Sequence, residues 1–175
     1  MKQLTDEKFE LLISEYYNEL ARIAYNYVRD SFYADDAVHD AFVKFYRAHK
    51  TFESDEHIKS WLIRVTINNC LDILKHKNKE LLINTEYINN LPDTSEADNK
   101  KNEDIYECIC SLKDSYKTIL FLYYYDNYSL KDIANILKIS ESNASTRLVR
   151  ARSKLRIKVL ERRKTNEQWR IRKIN

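Results

Sequence analysis

Two groups of polar side chains have types and spacing that suit chemistry or binding. One group is acidic and lies within six residues in the first third of the chain: Asp35, Asp36, His39 and Asp40. Carboxylates and imidazoles bind metal ions and transfer protons. A metal-dependent hydrolase built on this group is one alternative, which metal analysis would test. Because adjacent carboxylates on a helix diverge, they do not converge on one ion, and we predict no catalytic residue, no metal and no cofactor.

The second group is basic, rich in hydrogen-bond donors and spaced as one face of a helix: Asn143, Thr146, Arg147, Arg150 and Lys154. The opposite side of the same segment carries an apolar stripe: Ala144, Leu148, Ala151 and Leu155. A helix with these two faces fits the major groove of DNA. There Arg pairs with guanine edges and Asn with adenine, while other basic side chains hold phosphates.

The charge distribution supports a polyanionic partner at the same end of the chain. Residues 141–175 contain 12 Lys and Arg against 3 Asp and Glu, whereas the other 140 residues contain 18 against 24. A solvated basic helix terminus is the alternative, since basic ends of chains are common.

A short helix is predicted before the basic one. It begins with a possible cap at Ser129 and has an apolar face running from Leu130 to Leu137. The break at residues 138–140 ends in Ser140, which can cap the next helix. A support helix, a tight turn and a basic helix favour a DNA-reading helix-turn-helix over an ordinary amphipathic pair.

The rest of the chain is predicted to be helical as well. Glycine is absent and proline occurs once, which disfavours hairpins and excludes Walker loops and dinucleotide fingerprints. Apolar spacing predicts helices over about 5–28, 33–48 and 58–77. We therefore expect an all-α chain of two small helical domains, 5–78 and 105–163. The flexible linker is placed at 79–104 and a basic tail at 164–175.

Composition also limits where the chain works and what it binds. There is no apolar run of about 18 residues, and the N-terminus turns acidic before any apolar region. We expect a cytoplasmic protein without membrane insertion. The three cysteines, Cys70, Cys108 and Cys110, do not have the ligand spacing of a zinc site and are interpreted as packed or surface-edge thiols.

The second module resembles region four of the sigma-70 family of bacterial RNA polymerase sigma factors, in its extracytoplasmic-function group. The resemblance rests on three segments: 112–124, 129–141 and 146–152. It implies that the helix from Ser142 to Arg152 reads the upstream promoter element and that the module touches the polymerase flap. The family often has Gly at the position of Lys138 and Pro at that of Lys113. A left-handed turn at Lys138 would cost about 1 kcal/mol.

The first module is similar to sigma region two, through residues 34–46 and 61–72. The resemblance implies that Asp36, His39, Asp40 and Phe42 bind the clamp coiled coil of the polymerase largest subunit. It also implies that the later helix engages the melted downstream promoter element, with Arg64, Asn68 and Lys75 on its polar stripe. The loop at about 47–57 matches the family's base-capturing loop, and Trp61 is expected to be core.

The implied function is a sigma factor that binds core RNA polymerase and directs promoter-specific transcription initiation. The implied partners are core polymerase, promoter DNA and an anti-sigma factor. A stand-alone helix-turn-helix transcriptional regulator is the alternative, and co-purification with core polymerase separates the two.

Overall fold

The computed structural model describes the backbone of residues 6–48, 52–83 and 97–174, and side chains over 7–48, 52–77 and 104–164. The elements are α1 (Asp6–Val28), α2 (Ser31–Arg47), α3 (Asp55–Ile83), α4 (Ala97–Cys110), α5 (Asp114–Leu120), a π-helical segment (Phe121–Tyr125), α6 (Leu130–Leu137) and α7 (Glu141–Ile174). No strand occurs within the described ranges, and the predicted all-α class is confirmed.

Three helix termini lie more than five residues from the sequence prediction. Helix α3 continues to Ile83, α4 begins at Ala97 and α7 continues to Ile174. The predicted linker and basic tail therefore include helical residues. The prediction treats polarity as a sign of an irregular chain, but Lys, Glu, Arg and Leu are favourable helix formers even where no apolar face is present. The central part of the predicted linker, 84–96, lies outside the described residues.

The helices form two compact units, and the first contains α1, α2 and α3. Its core is built from apolar positions that follow the helical period, all 2% exposed or less: Leu20, Ile23, Ala24, Tyr27, Ala37, Val38, Ala41, Leu62, Ile63 and Ile67. Side chains cap two of its helices. Asp30 Oδ1 accepts from the backbone N–H of Tyr33 at 3.2 Å, and Ser54 Oγ accepts from that of His57 at 3.3 Å.

A buried amide joins α2 to α3. The side chain of Asn69, 7% exposed, donates from Nδ2 to the carbonyl oxygen of Ala37 at 2.9 Å. Its Oδ1 accepts from Lys44 Nζ at 2.6 Å. Because both polar ends of the amide are satisfied, it fixes the pairing of the two helices without an unmet desolvation cost.

The second unit contains α4, α5, the π-helical segment, residues 130–134 of α6, and α7. Helix α5 lies on α7 and contributes Ile119 and Leu120, both fully buried. The predicted apolar stripe of α7 faces inward: Ala144 and Ala151 are fully buried and Leu148 is 3% exposed. The end of α7 is joined to α4, where Arg162 Nε donates to Asp104 Oδ1 at 2.9 Å and the same guanidinium pairs with Glu107.

The turn between α6 and α7 has the expected left-handed residue. Lys138 has φ 54°, and the caps on either side are formed. Ser129 Oγ accepts from the N–H of Asp132 at 3.2 Å, and Ser140 Oγ accepts from that of Asn143 at 3.2 Å. The backbone therefore adopts a left-handed turn of the kind that glycine favours, although the Cβ atom of Lys138 makes this conformation sterically unfavourable.

We predict that Lys138→Gly raises the free energy of unfolding by about 1 kcal/mol, since the steric cost of the left-handed conformation disappears. For a unit of about 60–100 residues the midpoint of its thermal unfolding should rise by about 4–8 °C. Asn127, with φ 57°, is the matched control. Asparagine tolerates this conformation, so Asn127→Gly should gain less. An unchanged or lower midpoint for Lys138→Gly would refute the strain argument.

Candidate nucleic-acid and protein interfaces

The structure presents the predicted basic face at the start of α7. Asn143, Thr146, Arg150 and Lys154 are exposed, and Arg147 is half-buried. The hydroxyl of Ser140 caps the helix, so the first turn is ordered where a recognition helix makes its base contacts. Because the opposite stripe is buried in the second unit, a large rotation of α7 would break its core. The donors therefore point outward as one fixed set.

The acidic face of α2 is also exposed, although one predicted member is absent from it. Asp36, His39 and Asp40 are exposed. Phe42 is only 5% exposed, and its ring meets that of Phe9 edge-on with centroids 6.3 Å apart. The ring belongs to the apolar side of α2 and is covered by α1, and the place of Phe42 in the polymerase-binding motif stays a prediction.

Sequence reasoning missed an exposed aromatic on this face. Phe32 is 74% exposed, the largest fraction among the large hydrophobic side chains that the structure describes. It lies one turn before Asp36 and two turns before His39, on the same side of α2. The signal in the sequence is the spacing: Phe32 falls on the polar face of α2, whereas the apolar stripe with Ala37 and Val38 lies on the other side.

Helix α3 carries the predicted polar stripe. Asn68 and Lys75 are exposed and Arg64 is half-buried. Lys75 Nζ lies 3.2 Å from Asp72 Oδ1, with both side chains more than half exposed. A surface pair of this kind is worth about 0–1 kcal/mol, so a phosphate can displace the carboxylate. The neighbouring Asn69 is instead the buried amide that joins α2 and α3.

Trp61 lies in an aromatic cluster and is half-buried. Its ring centroid is 5.7 Å from that of Phe45 and 6.0 Å from that of Phe52. Residues 49–51 of the predicted base-capturing loop lie outside the described residues. Within the described part of this loop, Phe52 is held against the core by these aromatic contacts.

The thiols and carboxylates form no metal-binding group in the described part of the chain: no three His, Cys, Asp or Glu side chains there are placed to hold an ion. Cys70 is fully buried, and burial raises the pKa of its thiol to about 12, which keeps it protonated at neutral pH. Desolvation likewise raises the pKa of Cys108. Among the described helices, none has the length and hydropathy to span a bilayer.

Comparison with known families identifies both units. The model of Sigma-70 region 2 matches residues 12–80, and that of Sigma-70, region 4 matches residues 102–155. The first match contains α2 and the polar stripe of α3. The second contains the basic face of α7. Together the two matches include all three candidate surfaces, on α2, α3 and α7, in the order in which they occur along the chain.

Curated relatives and solved structures agree with these matches. The chain is 29% identical over 158 residues to RNA polymerase sigma factor SigV of Bacillus subtilis, covering 90% of this chain and 95% of SigV. It is 27% identical to ECF RNA polymerase sigma factor SigM of the same species, covering 87% and 94%.

Two solved complexes share the fold at lower identity. One is CnrH in complex with the cytosolic domain of CnrY (TM-score 0.59, 22% identity, 87% of this chain and 88% of that one). The other is the sigma factor RpoE with the anti-sigma factor NepR from Bartonella quintana (TM-score 0.57, 19% identity, 89% and 98%). With both regions matched in order across helices of the expected type, the chain belongs to the sigma-70 family of RNA polymerase sigma factors, in its extracytoplasmic-function group.

Proposed function

We propose that this sigma factor selects promoters with two separate surfaces. The exposed face of α7 reads duplex DNA at the upstream element, and the first unit holds core polymerase and the melted downstream element. The observation that carries the proposal is the basic face of α7, whose outward donors are fixed by the buried stripe behind them. Transcription initiation follows from placing both DNA elements on one polymerase.

The upstream contact divides into base reading and backbone holding. Arg147 and Arg150 can each present two parallel donors to a guanine edge, and Asn143 can do the same for adenine. Thr146 and Lys154 flank them and suit phosphate oxygens. The two kinds of contact should differ in how salt changes the DNA affinity of variants that lack them. Loss of a phosphate contact reduces the number of counterions released on binding and so lowers the salt slope, whereas loss of a base contact does not.

The polymerase contact uses the exposed face of α2. Asp36 and Asp40 supply carboxylates and His39 supplies a hydrogen-bonding edge, while Phe32 adds an exposed apolar anchor of the type that dominates interface energies. The partner is the clamp coiled coil of the largest subunit, as the family resemblance implies. The role of Phe42 is to hold this face in place through its contact with Phe9.

The downstream contact uses α3. Asn68 and Arg64 donate to the exposed strand, and Lys75 holds a phosphate once it leaves Asp72. Strand separation of this kind needs no covalent catalysis, because stacking and edge hydrogen bonds offset an unstacking cost of a few kcal/mol. The chain therefore works as a binding factor and not as an enzyme.

The connection between the units lets both surfaces act at once. When the first surface binds, the second meets its target at an effective concentration set by the connecting segment, which raises the overall affinity. We assign this role to the predicted linker, of which residues 84–96 lie outside the described part of the chain.

We further propose an anti-sigma partner that covers these surfaces. CnrH is solved with the cytosolic domain of CnrY, and RpoE of Bartonella quintana with the anti-sigma factor NepR. A cytoplasmic inhibitor of this kind would compete with polymerase for the α2 face.

Co-purification with sigma-free core polymerase tests the proposal against a stand-alone regulator. The full chain mixed with core enzyme should elute with it as a stoichiometric complex on gel filtration. If the chain and core polymerase elute separately at micromolar concentrations while the chain still binds DNA, a stand-alone helix-turn-helix regulator would be favoured.

A further inference from the structure

An arginine of α7 is held by two tyrosines from the π-helical segment. The guanidinium carbon of Arg152 lies 5.3 Å from the ring centroid of Tyr123 and 5.4 Å from that of Tyr124. The two rings are 5.1 Å apart and nearly perpendicular. Both distances are within the range of cation–π attraction, so this arginine is engaged by the protein itself.

The position of Arg152 on α7 separates it from the DNA-facing side. At 3.6 residues per turn, it lies about 140° from Arg147 and about 160° from Arg150 around the helix axis. It follows directly after Ala151, which is fully buried. Arg152 therefore lies at the edge of the packed face of α7, away from the face proposed to read DNA.

The local backbone accounts for the position of the tyrosines. Residues 121–125 form a π-helical segment after α5, and π-helical turns are rare and are often found at functional sites. Phe121 and Leu122 remain fully buried, which anchors the segment in the core. Tyr124 is 51% exposed and Tyr123 is half-buried, so their rings reach α7 from the rim of the core.

We propose that Tyr123, Tyr124 and Arg152 form a clamp that sets the rotation of the recognition helix, making Arg152 a positioning residue and not a DNA contact. The buried stripe of α7 consists mainly of alanine and leucine, and its alanines offer little shape to oppose a small rotation of the helix. A charge held against two rings at one edge of α7 opposes that rotation. The inference rests on the proposed function, since the rotation matters only if the opposite face reads DNA.

The test compares four variants of the full chain on a duplex carrying its upstream element and on a scrambled duplex. They are Arg152→Gln, the pair Tyr123→Leu and Tyr124→Leu, all three changes together, and the pair Tyr123→Phe and Tyr124→Phe. Affinities are measured over a salt series, at a temperature where circular dichroism shows every variant folded. Arg150→Ala in the same assay reports on the proposed function independently.

The clamp predicts a specific pattern. Arg152→Gln and the Leu pair should each weaken specific binding about two- to fivefold, as expected for an exposed cation–π contact. The triple variant should be no weaker than either, because the residues act through one another. Binding to scrambled duplex and the salt slope should not change. The Phe pair should bind like the unaltered chain, because phenyl rings keep the attraction.

Other outcomes overturn the clamp. A salt slope reduced by about 1 in Arg152→Gln alone would make Arg152 a phosphate contact. Additive losses, equal losses on both duplexes, or no loss of specific binding would each remove the positioning role. If Arg150→Ala also had no effect, the proposed DNA face itself would be wrong.

Discussion

Replacing Arg150 by Ala is expected to weaken binding of the full chain to its upstream promoter duplex by about 1–3 kcal/mol, roughly five- to 150-fold. Arg150 is exposed and follows Ala144 and Leu148, whose burial fixes the direction in which the arginine points. A bidentate pair with guanine cannot be replaced by water at the same geometry. Arg147→Ala should show a loss in the same range.

The matched control for Arg150 is Arg156→Ala. Arg156 is an exposed arginine on the same helix, about 120° away around its axis, so its loss removes equal charge from a different face. Discrimination among base substitutions should relax for Arg150→Ala and persist for Arg156→Ala. Equal losses in the two variants, or unaltered binding in Arg150→Ala, would contradict the assigned face.

Removing the carboxylates of α2 is expected to weaken binding to core polymerase about tenfold or more, as for a central contact in a protein interface. The change is Asp36→Ala with Asp40→Ala. Both residues are exposed and neither lies on the buried stripe, so folding should be unaffected. Binding is measured as the equilibrium affinity of labelled chain for sigma-free core enzyme, and the loss should shrink at high salt.

Two controls separate an interface effect from misfolding. Glu10→Ala removes an exposed carboxylate from α1, a different helix of the same unit, and should bind polymerase normally. Binding of the Asp36 and Asp40 variant to upstream duplex should equal that of the unaltered chain. Loss of DNA binding as well would indicate misfolding, and full polymerase affinity would remove the α2 face from the proposal.

The helical fold could be predicted from the periodicity of the sequence, but the positions of the helix ends could be predicted less well. The stripes around Val38, Leu62 and Leu148 fall where the core lies, because a period near 3.6 leaves one buried face. The ends of α3 and α7 extend beyond the predicted helices, because no apolar periodicity marks them. The residues there have favourable helix propensities, a signal that the prediction of a linker and a tail does not use.

The exposure of the candidate site residues could be predicted from the sequence for the polar side chains, but less well for the aromatic ones. Asp36, Asp40 and Arg150 are exposed because their spacing opposes an apolar stripe. Two phenylalanines of the same helix differ widely in exposure, since Phe42 is 5% exposed and Phe32 is 74% exposed. Only the packing of α1 on α2 decides which ring is covered. The engagement of Arg152 likewise depends on a π-helical segment that sequence spacing does not reveal.

The most direct measurement is transcription by sigma-free core polymerase on a genomic DNA library, with and without the purified chain, followed by sequencing of RNA 5′ ends. We expect the chain to create a set of start sites that share two promoter motifs at a constant spacing. Arg150→Ala should weaken use of these sites, and the Asp36 and Asp40 variant should reduce all of them together. An identical distribution of start sites with and without the chain would contradict promoter selection by this protein.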